Sequence, residues 1–103
     1  MRFDLYRAPD ADSGTIAEGL ARALAVEFEL HESEYFGRDY YLSRVPNASV
    51  KVVPNYVDNE GYPLEPSVGS ADVLVYVDGE LADVEDLASR LPASLELVRS
   101  ETM

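Results

Sequence analysis

Cysteine and tryptophan are absent from the 103 residues, and histidine and lysine occur once each, as His31 and Lys51. Without cysteine there are no disulfides, no thiolate nucleophile and no cysteine-built metal site. A lone histidine excludes metal centres that need several. Basic residues are scarce: eight Lys and Arg stand against twenty Asp and Glu, for a formal charge of −12. Nucleic acid and anionic membrane both require a basic footprint, so neither is an expected partner. The longest strongly apolar run, Val73-Leu74-Val75-Tyr76-Val77, is far too short to span a bilayer. Met1-Arg2-Phe3-Asp4 puts an acid where a signal peptide needs its apolar stretch, and the expected compartment is the cytoplasm. No Gly-x-Gly-x-x-Gly or phosphate-cradling loop occurs, so no cofactor is expected.

What is present suits one folded domain over residues 1–103. Apolar residues make up 47% of the chain, with seven Tyr and three Phe, too rich for a disordered acidic tail. A chain of this length buries roughly two-thirds of its unfolded surface, enough for one core without staples. The charge is unevenly spread. From Val52 to Ser89 there is no Lys or Arg, while Asp58, Glu60, Glu65, Asp72, Asp78, Glu80, Asp83, Glu85 and Asp86 all fall there. A single-sign block repels itself and, in return, steers partners of opposite charge.

Periodicity marks the elements. Residues 2–7 alternate as a strand. Thr15-Ile16-Ala17-Glu18 has capping-box form, and Ile16, Leu20, Leu24 and Phe28 follow at helical spacing, predicting a helix near 15–28. Leu30–Phe36 and Tyr40–Val45 flank Gly37-Arg38-Asp39 and predict a hairpin turning at Gly37. A turn at Pro46-Asn47 leads into a strand through Val50 and Val52, where Pro54 argues for an edge or a bulge. Asn55 to Asp72 is a long connection, of a length that is usually functional or mobile. Residues 73–77 are apolar on both faces, as in a central strand covered on both sides. Asp83 is placed to cap a second helix near 83–91, striped by Val84, Leu87, Ala88 and Leu91, before a last strand at 95–98. The expected fold is α+β: a single mixed, mostly antiparallel sheet with two helices on one face, ferredoxin-like or a close variant. Ile16, Leu20, Leu24, Leu74, Val84 and Leu87 should be buried, leaving the other sheet face and the long connection for a partner.

The chemistry-bearing residues point to binding more than to catalysis. In a strand His31 shares a face with Glu29 and not with Glu32 or Glu34, and Ser33 beside it has no strained-turn signature. A surface or satisfied histidine is the better reading, and no catalytic residue is assigned. Asp58-Asn59-Glu60-Gly61 lacks the ligand spacing and distal glutamate of a calcium loop, so no metal site is assigned. The tyrosines carry more. Tyr40 and Tyr41 must face opposite sides, one of them suited to the core. Tyr56 and Tyr62 lie among Asp58 and Glu60, where burial is unnatural and an anchoring role at an interface fits. The expected partner-binding residues are Tyr56, Asp58, Glu60, Tyr62, Glu65, Asp78 and Glu80.

The Tyr35-Phe36-Gly37-Arg38-Asp39-Tyr40-Tyr41 turn and the Asn55-Tyr56 segment, in a small, acidic, cysteine-free chain, resemble features of bacterial immunity proteins of polymorphic-toxin and contact-dependent inhibition systems. That resemblance implies a non-enzymatic module that acts as an acidic plug and neutralises a basic partner, a toxin domain and often a nuclease. Two alternatives belong to other classes. One is a ferredoxin-like small-molecule-binding or enzymatic domain with a pocket between sheet and helices. The other is a homo-oligomeric subunit, such as a homodimer, using its exposed sheet face.

Overall fold

A computed structural model describes residues 1–9, 11–32, 39–55, 64–66, 68 and 72–103. Along the chain they form β1 (Arg2–Ala8), α1 (Ser13–Leu24), β2 (Glu29–His31), β3 (Tyr40–Val45), β4 (Ala48–Pro54), β5 (Val73–Gly79), α2 (Leu81–Ser89) and β6 (Glu96–Thr102). The strands make one sheet in the order β2-β3-β4-β5-β1-β6, and every pairing is antiparallel. Strands β6, β1, β5 and β4, joined through α1 and α2, have the ferredoxin-like order; β2 and β3 extend that sheet beyond β4. This is the α+β fold expected, at the fully antiparallel end of the mixture.

Period-two alternation sorts the strand residues. Tyr6 and Ala8 of β1, Val50 and Val52 of β4 and Val73, Val75 and Val77 of β5 meet Ala17, Leu20, Leu24, Val84 and Leu87 from the two helices in one core. Leu5, Val53 and Leu74 face the other way and are buried as well, under Leu64 and Val68 of the long connection. Strand β5 thus lies between β4 and β1 with both faces covered, as its unbroken apolar run requires. Each fully buried Leu or Val contributes about 1.5–3 kcal/mol. Of the expected core, Leu20, Leu24, Leu74, Val84 and Leu87 are buried, and Ile16 is partly so.

The element ends differ from the pattern-based expectation for local reasons. Helix α1 begins two residues earlier, because Asp12 is its cap: the Asp12 carboxylate accepts from the Thr15 N–H at 3.0 Å and from Thr15 Oγ1 at 3.2 Å. It stops at Leu24 rather than Phe28, since Ala25 adopts the left-handed conformation, φ 54°. Helix α2 begins after Glu80, which supplies no side-chain cap; Asp83 sits in its first turn, favourable there against the helix dipole. Strand β4 is internal. Pro54 is tolerated because it is the last strand residue, paired with Val73 at the strand end. Hairpin β3–β4 turns through Pro46-Asn47, with Asn47 at φ 64°. Strands β2 and β3 pair as a hairpin would, through Glu29–Leu42, Leu30–Tyr41 and His31–Tyr40, while the expected turn at Gly37 lies outside the described residues.

Two features fix how neighbouring elements meet. Gly79 takes φ 155°, and a Cβ there would lie 2.6 Å from the Cα of Ala48 and collide with the Asn47 carbonyl oxygen. Only glycine permits this close crossing, which lets the Glu80 N–H donate to the Asn47 carbonyl at 2.9 Å. Arg90, at the end of α2, donates through Nη1 to the Leu24 carbonyl at 3.0 Å, capping α1 from the neighbouring helix, and its Nη2 is held by Asp86 at 2.9 Å.

Candidate functional site

The charged residues divide by face. On the sheet face opposite the helices, alternation places Arg7, Lys51 and Arg99 with Glu65, Asp78, Glu96 and Glu101, and most of these groups are engaged. Arg99 donates to both Glu65 oxygens, at 2.8 and 3.0 Å, and Tyr76 adds its hydroxyl at 3.1 Å. The Arg99 hydrogen bonds hold the Glu65 carboxyl below the usual carboxylate range, against the opposing effect of burial. Arg7 bridges Glu96 at 2.6 Å and the buried Asp72 at 3.4 Å.

Asn55 organises this side. Its side-chain oxygen accepts from the Glu65 N–H at 2.9 Å, and its amide donates to the Glu65 and Val68 carbonyls at 3.2 and 3.5 Å. The Asn55 N–H in turn donates to the Asp72 carbonyl at 3.1 Å, closing the base of the long connection. Leu64 and Val68 are thereby laid over Leu5, Val53 and Leu74, so the open face is partly occupied by the chain itself.

A shallow trough of about 310 Å³ remains on that face, floored by Phe3, Leu5 and Tyr76 and rimmed by Asp78, Arg99, Glu101 and Met103. Burial raises the Asp78 carboxyl above its ordinary pKa, and nearby Lys51 only partly offsets this. Behind the trough, under α2, Asp4 is 1% exposed. It accepts two hydrogen bonds from Arg2 at 2.9 Å, one from the Tyr6 hydroxyl at 3.2 Å and one from Ser100 Oγ at 2.5 Å. Burial alone would raise its pKa; the hydrogen bonds from Arg2, Ser100 and Tyr6 outweigh that and lower it. Nothing in the sequence pattern singles Asp4 out beyond its being an acid on the core-facing side of an apolar strand.

Helix α2 is the contrasting surface. Glu80, Asp83, Glu85 and Asp86 lie along and just before it, beside an exposed Leu81. Its one base, Arg90, is turned toward the end of α1. Of the four acids, Asp86 has Arg90 and Glu85 has Arg2 at 3.9 Å; among the described residues Glu80 and Asp83 have no ion-pair partner.

The expected binding residues are therefore spread out. Glu80 belongs to the acidic α2 surface, Asp78 to the trough and Glu65 to the Arg99 clamp, while Tyr56, Asp58, Glu60 and Tyr62 lie outside the described residues. The acidic run is continuous along the chain, but the sheet separates its described carboxylates onto opposite sides. Tyr41 joins the helix-side core and Tyr40 the other face, as strand alternation demands; Tyr35 lies outside the described residues.

His31 and Glu29 share a face as expected, Nε2 to Oε2 at 3.4 Å, and the imidazole stacks on Tyr40 with ring centroids 5.6 Å apart. They line an open cleft of about 510 Å³ that Ser43 also lines. Ser43 belongs to the opposite face of the sheet and lies three residues along β3 from Tyr40, the cross-strand partner of His31, on the order of 10 Å away. That is no nucleophile–base arrangement. Among the described residues no group of His, Asp and Glu converges as a metal site, and no helix is long and apolar enough to cross a membrane.

No protein-family model matches the chain, and no curated protein matches it.

Proposed function

We propose that the chain is a cytoplasmic, acidic protein-binding module, acting as an immunity protein that holds and neutralises a basic protein partner without catalysing a reaction. The observation that carries this reading is the α2 surface, where Glu80, Asp83, Glu85 and Asp86 accompany exposed Leu81 and the single base, Arg90, is shared between Asp86 and the Leu24 carbonyl. Acids on a rim steer encounter, and an apolar side chain among them supplies contact area once water is excluded. Tyr56 and Tyr62, from the acidic connection, are the further anchors of the proposal. His31, beside Glu29 and stacked on Tyr40, serves as a surface side chain with no catalytic part.

The test is co-purification from the native host followed by binding kinetics at two ionic strengths. The on-rate should fall steeply as salt rises. Glu80→Lys with Glu85→Lys should slow association. Leu81→Ala should speed dissociation, by roughly 1–2 kcal/mol if Leu81 is a hot spot. A salt-independent on-rate, or a partner that is itself acidic, would refute the reading. Turnover in a broad hydrolase screen that vanished in His31→Ala would replace it with an enzymatic one.

A further inference from the structure

The sheet ends on β6, whose outer edge pairs with no strand among the described residues. Such an edge is a template for another strand. Its outward-facing groups follow from the ladder on its inner side. Met103 N–H donates to the Met1 carbonyl, and the Met1 amine to the Met103 carbonyl, both at 2.8 Å. Hydrogen-bonded and non-bonded pairs alternate along an antiparallel ladder. Phe3–Glu101 and Leu5–Arg99 are therefore bonded pairs, and Arg2–Thr102 and Asp4–Ser100 are not. Ser100 and Thr102 consequently turn their N–H and C=O groups away from the sheet.

We propose that this edge docks a second copy of the chain, the two β6 strands pairing antiparallel about a two-fold axis at Ser100. Charge selects the register. Pairing centred on Arg99 would set two arginines against each other, and pairing centred on Glu101 two glutamates. Odd registers would oppose residues from different faces of the sheet. Centred on Ser100, the outward groups of the two serines meet as a bonded pair. Arg99 of each copy then faces Glu101 of the other in the flanking non-bonded pairs, where side chains approach most closely.

Both residues belong to the same sheet face, lining the trough with Phe3 and Leu5, as directly opposed residues must. Their side chains keep 45% and 62% of their surface in water, and the contact between them within one chain is long, 3.8 Å, so pairing across the axis has only that weak contact to replace. The bulge where Leu5–Arg99 is followed by Tyr6–Leu97 ends the regular run at Arg99. The paired segment is short, and the association is reversible and concentration-dependent.

The experiment is sedimentation velocity on the full chain over a concentration series, with amide exchange as a second readout. Wild type should rise from 11.4 kDa toward twice that mass, and the Ser100 amide should gain protection as concentration rises. Glu101→Arg, which leaves the Glu65–Arg99 bridge in place, sets arginines opposite each other twice and should weaken dimerisation by about tenfold or more. Arg99→Glu, made with Glu65→Gln so that the clamp does not face two like charges, should do the same. An equimolar mixture of the two variants, each confirmed as folded by circular dichroism, should dimerise again, because every flanking pair becomes complementary. Monomer throughout the series, a dimer indifferent to Glu101→Arg, or folded variants that fail to rescue each other would overturn the proposal.

Discussion

The open sheet face and the outer side of α2 carry similar numbers of carboxylates and treat them differently. On the sheet, Glu65, Asp72 and Glu96 are tied to Arg99 or Arg7, and these bonds hold the long connection and β6 in place. On α2, the single base is shared between the Leu24 carbonyl and Asp86, and among the described residues Glu80 and Asp83 have no ion-pair partner. A carboxylate bonded to a fixed guanidinium contributes to the fold. One left unpaired costs self-repulsion and acts on a distant partner. Among the described residues, the acidic run from Val52 to Ser89 is therefore divided between two surfaces, one bonded into the fold and one mostly exposed.

The largest effect should come from removing the joint between those surfaces. Gly79→Ala forces a Cβ against Asn47 and Ala48 at a positive φ and should destabilise by about 3 kcal/mol or more, measured as a shift of the urea midpoint. Next is Asp4→Ala, which leaves Tyr6 Oη and Ser100 Oγ without their acceptor and Arg2 with only the more distant Glu85. A loss of about 2–4 kcal/mol is expected, below the full cost of a broken buried pair because Arg2 keeps 21% of its side chain in water.

Acid titration sharpens the comparison further. Asp4 and Glu65 have pKa values lowered by folding, so their contribution is present at neutral pH and lost as pH falls through those lowered values. Asp78 is raised by folding, so protonating it relieves a cost as pH falls through its elevated value. On acidification from neutrality, stability should first rise slightly and then drop. Asp78→Asn should flatten the first rise and leave the drop, and a pH series of unfolding midpoints for the two proteins checks this. The smallest effect is at the end of α1. Ala25→Gly relieves a left-handed alanine and should stabilise by about 0.5–1 kcal/mol in thermal unfolding.

Legibility in the sequence followed how local each determinant is. The core-facing stripe Leu20 and Leu24, the doubly covered strand through Val75 and the pairing of His31 with Glu29 were readable, because each depends on the period of one element. The cap at Asp12 was hidden behind a second acceptable cap at Thr15, and the end at Ala25 behind Phe28, which continues the helical spacing. Pro54 suggested an edge, although a strand's last residue tolerates proline in the middle of a sheet. Leu81 gave no sign of exposure, since its surroundings depend on where α2 begins.

The sequence by itself determined the α+β class, the apolar central strand, the two amphipathic helices and the concentration of negative charge, all of which follow from composition and short-range periodicity. Only the tertiary structure decided which acids meet a base. Arg99 finds Glu65 from 34 residues away, Arg90 reaches the Leu24 carbonyl from 66 and Ser100 meets Asp4 from 96. The register of β6 on β1 and the clamp made by Asn55 bring Glu65, Arg99 and Tyr76 together. A charge pair's energy depends on separation in space and on exclusion of water, and neither quantity is carried by position along the chain.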